Sequence, residues 1–337
     1  MKKFLCLLLA ALLVVGTFAA CSGNAGNDTT ALPTESTEPA VKKNVNIAVL
    51  KGPTGMGAAK LMEMNENNEA LNNYNFTVAT APDQITGKLV SKELDIASIP
   101  TNAASALYNK TKGNVTLIAI NTLGVLYILE KGDSVSSVAD LKGKTILASG
   151  KSSTAEYVLN FILEKNGLKV GTDVTVEYAA EHAEAASQAI SGKYDIVMLP
   201  EPFVTSTLLQ SSDFKVKLNL TEEWKKVANA ELTMGCVAVR TDFLKENPEA
   251  VENFLKDYKT SVDFVNSDVE GAAALIEKYD IAKAAVAKKA LPNCNIVLIT
   301  GEDMKKDASQ FLSIIYDFDA SAVGGALPED SFYYIGK

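Results

Sequence analysis

Patterns typical of β-strands and of helices alternate along the chain from residue 45 onward, and this alternation limits the fold more than any other feature. Alternating β-branched and apolar residues indicate strands, and apolar residues at helical spacing indicate helices. One series of β-α-β units ends near residue 123 and a second follows it. Such units imply parallel strands with helices on both faces of a sheet. Strands are predicted at 44–50, 76–81, 94–99, 115–122, 125–129, 145–149, 174–179, 194–199 and 232–240.

The chain beyond residue 240 has apolar residues mostly at helical spacing. Helices are predicted at 249–266, 269–277, 281–289 and 303–318, which form a helical C-terminal block. The predicted fold class is therefore α/β, with two α/β units in series before that block.

The N-terminus has the features of an export signal. Lys2 and Lys3 precede an apolar stretch over residues 4–15, which is shorter than the roughly 20 residues of a membrane span. The stretch ends in Ala19-Ala20-Cys21, which resembles the lipobox of bacterial lipoproteins, although Phe18 stands where Leu is usual. We expect residues 1–20 to be a signal peptide and Cys21 to be lipidated. An ordinary secretory signal with a coincidental cysteine is the alternative.

The segment 21–43 is expected to be a flexible tether. It is rich in Ser, Thr, Asn, Gly, Pro and Ala and has no apolar periodicity, so it cannot bury enough surface to fold. A tether directly after a lipidated cysteine suits a domain that is held at a membrane surface.

Charge and residue counts exclude several classes of function. The net charge is −9, and no basic stripe accompanies it, so nucleic acid is not an expected partner. One histidine and four cysteines support neither a metal site nor a nucleophile–base pair. We therefore expect no catalysis, no cofactor and no metal. Cys236 and Cys294 are expected to be separate buried thiols, with a disulfide between them as the alternative.

Several motifs in the second half of the chain occur in a fixed order. They are Ser-Val-Ala-Asp-Leu-Lys-Gly-Lys-Thr-Ile at 137–146, Gly-Lys-Tyr-Asp-Ile-Val at 192–197, Leu-Pro-Glu-Pro at 199–202, the strand 235–243 and Asn-Pro-Glu-Ala-Val at 247–251. In this order the chain resembles the nitrate/sulfonate/thiamine-precursor (NMT1-like) group of ABC-transporter substrate-binding proteins, over roughly residues 45–316.

The resemblance implies a two-lobed type II periplasmic-binding-protein fold with a ligand cleft between the lobes. The first lobe would contain 44–123 and the helical return 242–337, and the second lobe 124–241. Gly124 and Gly235 lie where the chain would cross between lobes, and glycine suits a hinge.

The resemblance also implies a function. The protein would be a monomer that binds a small polar or anionic organic molecule and delivers it to an ABC permease by hinge closure. It would be held at the extracytoplasmic face of the cell membrane by the lipid on Cys21. Two alternatives are an enzyme of cofactor or pyrimidine-precursor biosynthesis with the same fold, and a binding protein that serves a sensor.

Two loops between a strand and a helix are candidate ligand sites. The first loop, residues 51–57, has the glycine spacing of a phosphate-binding loop but carries Ala58 and Ala59 where Lys and Ser/Thr belong. It is instead expected to offer a helix N-terminus to an anion, with a structural turn as the alternative. The second loop, residues 150–154, occupies the equivalent place, with helix capping as the alternative.

Other candidates follow predicted strands. Glu201 could accept a hydrogen bond from the ligand or cap a helix. His182 is expected in an exposed loop or helix cap, with ligand contact as the alternative. The aromatic residues Tyr127, Tyr157 and Phe203 are expected in the core, with ligand stacking as the alternative, and Trp224 is expected at the periphery. The predicted ligand-binding residues are Lys51, Pro53, Thr54, Gly55, Met56, Thr101, Asn102, Asn121, Thr122, Lys151, Ser152, Ser153, Thr154 and Glu201.

Overall fold

Two β-sheets divide the strands between them in the computed structural model, which describes residues 42–336. The predicted signal peptide, Cys21 and nearly all of the tether lie outside these residues. The six-stranded sheet contains β1 (Asn44–Leu50), β2 (Asn73–Ala79), β3 (Ile96–Pro100), β4 (Val115–Thr122), β10 (Gly235–Arg240) and β11 (Ile296–Ile299). The five-stranded sheet contains β5 (Leu126–Lys131), β6 (Thr145–Ser149), β7 (Thr175–Ala179), β8 (Ile196–Pro200) and β9 (Phe214–Asn219).

Thirteen α-helices in the described residues cover these sheets. They are α1 (Pro53–Gly57), α2 (Ala59–Glu66), α3 (Asp83–Val90), α4 (Thr101–Thr111), α5 (Thr154–Lys165), α6 (His182–Ile190), α7 (Phe203–Gln210), α8 (Leu220–Val227), α9 (Thr241–Glu246), α10 (Pro248–Ser267), α11 (Val269–Lys278), α12 (Ala284–Ala290) and α13 (Gly301–Phe318). Local chemistry explains several starts: Asn219 caps α8 and Asp268 caps α11, each through its side-chain oxygen, and Pro248 opens α10.

The sheets are mixed rather than wholly parallel. The strand order is β11-β4-β10-β3-β1-β2 in one sheet and β7-β6-β8-β5-β9 in the other. β1 pairs in parallel with β2 and β3, and β6 with β7 and β8, as the β-α-β pattern predicts. β10 runs antiparallel to both β3 and β4, and β5 runs antiparallel to both β8 and β9. These two reversed strands are the ones that the chain enters from the other sheet.

The structure differs from the predicted strand assignment in three places. β10 belongs to the six-stranded sheet, although the predicted range 124–241 assigned it to the second lobe. The sequence analysis missed β9 and α8, although β9 alternates apolar and lysine side chains. It also missed β11, a four-residue strand in a region that otherwise forms helices. Short edge strands have weak sequence patterns because few of their residues need to be buried.

The prediction that Trp224 is peripheral is wrong. Its side chain is fully buried, packs 5.0 Å from the Phe161 ring and 5.6 Å from the Phe311 ring, and donates from Nε1 to the Ala230 carbonyl. The charged neighbours of Trp224 misled the prediction, because helical spacing turns them to the solvent face of α8. Burial of an indole this size stabilises the fold by about 4–6 kcal/mol.

The two remaining cysteines are separate buried thiols, as expected. Cys236 donates to the Ile99 carbonyl at 3.5 Å, and the Cys294 sulfur lies 3.9 Å from the Met56 sulfur. Burial raises the pKa of both thiols, which keeps them protonated.

Two connections join the sheets; Gly124 lies in the first of them, and Gly235 is the first residue of β10, where the second ends. A Cβ on Gly124 would lie 2.1 Å from Thr221 Oγ1, so no larger residue fits there. A Cβ on Gly235 would lie 3.0 Å from Asn121 Oδ1. Neither glycine has a φ in the left-handed region, so close packing rather than dihedral freedom explains both residues.

No helix in the described part of the chain is long and apolar enough to cross a membrane.

Candidate functional site

A cavity of about 730 Å³ opens where strands of both sheets end. The six-stranded side contributes Leu50, Lys51, Gly52, Pro53, Thr54, Thr80, Ala81, Pro82, Asp83, Thr86, Ile99, Pro100, Ala103, Thr122, Met234 and Gly235. The five-stranded side contributes Val125, Leu126, Gly150, Lys151, Ser152, Ser153, Thr154, Ala155, Tyr178, Ala179, Ala180, His182, Pro200, Glu201 and Phe203. Ligands of α/β proteins bind beyond the carboxyl ends of parallel strands, which is the position of this cavity.

Five helices of eight or more residues begin at this cavity: α3, α4, α5, α6 and α7. Residues of their first turns, or the residues just before them, line the wall. The first N–H groups of a helix have no partner within the helix, and the helix dipole places partial positive charge there. The wall therefore favours polar acceptors and negative charge.

The first loop is satisfied by its own neighbours. Thr54 Oγ1 accepts from the Leu50 N–H at 3.2 Å and lies 3.4 Å from the Leu50 carbonyl, to which it donates. Lys51 Nζ pairs with Asp280 Oδ2 at 2.8 Å. Lys51, Pro53 and Thr54 line the cavity, but the predicted contacts Gly55 and Met56 are buried away from it.

The second loop leaves more of its groups exposed. Ser153 caps α5, since its Oγ accepts from the Ala155 N–H at 3.3 Å and donates to the Gly150 carbonyl at 2.5 Å. Ser152 has a φ of 60° and lies exposed beside Lys151. All four predicted residues of this loop, Lys151 to Thr154, line the cavity. Capping and ligand contact are thus compatible here, because different residues of the loop perform them.

Two predicted residues bind each other between α5 and α4, which pack on different sheets. Thr154 Oγ1 donates to Asn102 Oδ1 at 2.8 Å, and Asn102 also donates to the Ala322 carbonyl at 3.1 Å. Thr80, which lines the cavity, donates from Oγ1 to Glu181 Oε1 at 3.3 Å. The two sides of the cavity are therefore hydrogen-bonded to each other in this structure.

Three of the predicted polar contacts do not line the cavity. Asn102 is occupied as described, and Thr101 is fully buried. Asn121 donates to Ser98 Oγ at 3.1 Å and to the Tyr258 hydroxyl at 3.3 Å, so its amide holds the sheet to α10. Thr122 does line the cavity. Successive side chains on a strand point to opposite faces, which separates Thr122 from Asn121.

Glu201 lines the cavity and also caps a helix. The residue is 2% exposed, and its carboxylate accepts from the Thr205 N–H at 3.1 Å and from Thr205 Oγ1 at 3.0 Å. Burial raises the pKa of this carboxyl, and the two hydrogen bonds oppose that shift. The capping alternative therefore accounts for both carboxylate oxygens.

A comparison with known families identifies the chain. Residues 68–290 match the family model described as "ABC transporter, phosphonate, periplasmic substrate-binding protein". The chain belongs to this family of ABC-transporter substrate-binding proteins.

Solved structures of such substrate-binding proteins have the same fold. An ABC transporter structure from Parabacteroides distasonis matches with a TM-score of 0.72 at 21% identity, covering 87% of this chain and 99% of that one. The aliphatic sulphonate binding protein SsuA from Escherichia coli matches with a TM-score of 0.68 at 19% identity, covering 82% and 88%. The alkanesulfonate-binding protein SsuA from Xanthomonas axonopodis pv. citri, bound to MOPS, matches with a TM-score of 0.67 at 18% identity, covering 86% and 96%. No curated protein matches the chain significantly.

The family assignment and the fold class predicted from the sequence are confirmed. The description of the matching family model names phosphonate, whereas the sequence motifs resemble those of the nitrate/sulfonate/thiamine-precursor group. This substrate-binding protein is the extracytoplasmic ligand-binding part of an ABC import system. The cavity between its two sheets is the candidate ligand site.

For His182, the sequence analysis favoured an exposed loop or a helix cap over ligand contact. His182 lines the cavity, shares a hydrogen bond of 2.6 Å with Ser149 Oγ through Nδ1, and lies 5.3 Å from the Phe203 ring. Burial lowers its pKa to about 4, so the imidazole is neutral at pH 7. A sequence signal did exist: His182 opens the helix after β7, the same position that both loops occupy after their strands.

The aromatic residues divide between core and cavity. Tyr127 and Tyr157 pack against the hydrophobic core and do not line the cavity, which agrees with the expectation. Phe203 and Tyr178 line it, and both are partly exposed. Tyr178 lies one residue before the end of the predicted strand 174–179, so the expectation that ligands bind at strand ends could have found it.

Proposed function

We propose that this protein captures a small polar or anionic organic molecule in the cavity between its two sheets and delivers it unchanged to an ABC permease. The convergence of five helix N-termini on that cavity is the observation that supports this ligand class. The partial positive charge of the helix N-termini disfavours a cation. The protein acts as a monomer and performs no chemistry on its ligand.

Hinge closure is the proposed mechanism of capture. One lobe contains residues 44–123 and 242–337 together with β10, and the other contains the five-stranded sheet. The hydrogen bonds from Thr154 to Asn102 and from Thr80 to Glu181 cross between these lobes. A ligand that binds groups on both lobes adds further contacts between them. Such a ligand binds the closed state more tightly than the open state and therefore favours closure.

The decisive experiment is to identify what the protein carries and whether binding closes it. Native mass spectrometry of protein purified without denaturation should reveal a bound small molecule. Adding that molecule back to the stripped protein should reduce the radius of gyration measured by solution scattering. The molecule should be recovered chemically unchanged from the complex. Turnover of the molecule, or an unaltered radius on binding, contradicts the proposal.

Anchoring through Cys21 is a separate part of the proposal. Replacing Cys21 with Ala should move the protein from the membrane fraction to the soluble extracytoplasmic fraction, because lipoprotein cysteines carry the two or more acyl chains that stable anchoring requires. Ser22→Ala, one residue further along the tether, is the matched control and should stay with the membrane. Membrane retention of Cys21→Ala, measured by immunoblot of both fractions, shows that the anchor lies elsewhere.

A further inference from the structure

Arginine is absent from the cavity wall. The chain contains one arginine, Arg240, whose guanidinium pairs with Asp95 at 2.9 Å and with Asp242 at 2.9 Å. Arg240 ends β10, whereas Gly235 at the start of that strand lines the cavity. Arginine supplies the bidentate hydrogen bonds that favour recognition of carboxylate and phosphate groups. This cavity therefore has no such group for a doubly charged ligand.

The cavity also has little positive charge from lysine and histidine. Lys51 already pairs with Asp280, and the lowered pKa of His182 leaves its ring neutral. Lys151 has no carboxylate within 4 Å among residues 42–336, and its ammonium lies 5.9 Å from the centre of the Tyr178 ring. Against this one available cation stand the carboxylates of Asp83 and Glu201 in the same wall. Among the side chains of the wall, a dianion would face two carboxylates and only one unpaired ammonium, whereas a single negative charge matches Lys151.

The rest of the wall is suited to a flat apolar body. Tyr178, His182 and Phe203 line the five-stranded side, with the His182 and Phe203 rings inclined by 47°. Ile99 and Pro100 line the opposite side. Covering the partly exposed aromatic faces with a ligand stabilises the complex. Aromatic pairs contribute about 0.5–1.5 kcal/mol beyond the burial of their area. A volume of about 730 Å³ is typical of sites for organic ligands and is much larger than a small oxyanion needs.

From these three observations we infer that the cavity binds a flat aromatic or heteroaromatic molecule with at most one negative charge, and does not bind a phosphonate dianion. The inference rests on the proposed function and specifies the ligand class of the same site. The rings of Tyr178 and Phe203 contact the ligand ring, Lys151 contacts its single charge, and the helix N-termini bind its remaining polar atoms.

A matched ligand panel tests the inference by isothermal titration calorimetry at pH 8 on the stripped mature protein. Each monocyclic and bicyclic scaffold, from benzene to pyrimidine and indole, is used as the carboxylate, the amide and the phosphonate, with the saturated carboxylate as the control for aromaticity. An aromatic carboxylate or amide should bind at least tenfold more tightly than its phosphonate and its saturated counterpart. Tightest binding by a phosphonate or a saturated member, or no binding by any aromatic member, overturns the inference.

Variants assign the interaction to the named residues. Phe203→Leu should weaken the best aromatic ligand about tenfold and its saturated counterpart less than threefold. Tyr194→Leu, an aromatic on the same lobe that does not line the cavity, should leave both affinities unchanged. If the Phe203→Leu variant does not give the circular dichroism spectrum of the folded protein, the same measurements are made on Tyr178→Leu. Equal loss for the aromatic and saturated ligands contradicts ring stacking.

The outcomes separate this inference from the proposed function. A phosphonate that binds most tightly of the panel and reduces the radius of gyration refutes the inferred ligand class but leaves capture and delivery intact. A bound molecule that the protein converts to a product refutes the proposed function, whatever its ring structure.

Discussion

The first loop, residues 51–57, and the second loop, residues 150–154, follow equivalent strands but present different chemistry to the cavity. In the first loop, Thr54 binds the backbone of Leu50 and Lys51 pairs with Asp280. In the second loop, Lys151 and Ser152 stay exposed, and His182 lies beside Gly150, 3.7 Å from where a Cβ would be. The two loops share a pattern in the sequence and differ in which groups remain for a ligand.

The difference shows that a loop between a strand and a helix marks where a ligand site can form, but its position alone does not make it a binding site. A polar group contributes to binding only if folding has not already satisfied it, because exchanging one hydrogen bond for another yields little free energy. On this ground the second loop should dominate recognition, and the following comparisons test that expectation.

The largest expected effect is a loss of stability in acid caused by His182, which lies beside the second loop. Its pKa is about 4 in the folded protein and near 6.5 when unfolded, so the unfolded state binds more protons between these values. The free energy of unfolding should therefore fall as the pH decreases from 6.5 to 4, by about 2 kcal/mol after allowance for the partly open cavity. Denaturant titrations across this range should show a flatter dependence for His182→Gln.

The first loop provides the control for this measurement. Lys51 lowers the pKa of Asp280, so that carboxyl titrates below the window in question. Asp280→Asn should accordingly keep the wild-type slope between pH 6.5 and 4. A His182→Gln variant with the wild-type slope would show that another group is responsible.

A tenfold effect on affinity is expected from the two lysines. Lys151→Ala should weaken a monoanionic ligand about tenfold, because the ligand loses the one cation of the wall that is not already paired. Lys51→Ala should weaken the same ligand less than threefold, since Asp280 already binds that ammonium. Calorimetry with both variants decides this comparison, and equal losses, or a larger loss for Lys51→Ala, reverse the ranking of the loops.

The smallest expected effect concerns the two threonines. Thr154→Val removes the hydrogen bond to Asn102 between the lobes and should weaken ligand binding about three- to fivefold, or about 0.7–1 kcal/mol. Thr54→Val removes only contacts to Leu50 within one loop, so affinity should change less than twofold while the unliganded melting temperature falls. If Thr54→Val impairs binding more than Thr154→Val, the first loop contacts the ligand directly.

Several helices and strands could be predicted from local sequence because the pattern of buried side chains that defines each of them lies within its own residues. The alternation of strand and helix patterns located β1, β4 and β6 to within a residue or two, and it located α10 and α13 equally well. Helix and strand periods reflect which side chains are buried, so a pattern that is continuous over five or more residues is by itself evidence for the element. β11, with four residues, has no such pattern and became visible only through its pairing with β4.

The candidate site shows where local evidence ends. The sequence by itself determined that polar loops follow the strands of an α/β fold, and the order of its motifs determined the family. The tertiary structure decided which polar groups remained available for a ligand. Lys51 is paired by a residue 229 positions away, Thr154 by a residue 52 positions away, and the His182 ring is neutral because of what surrounds it. Burial and pairing depend on residues that are distant in sequence and adjacent in space, so no local pattern can reveal them.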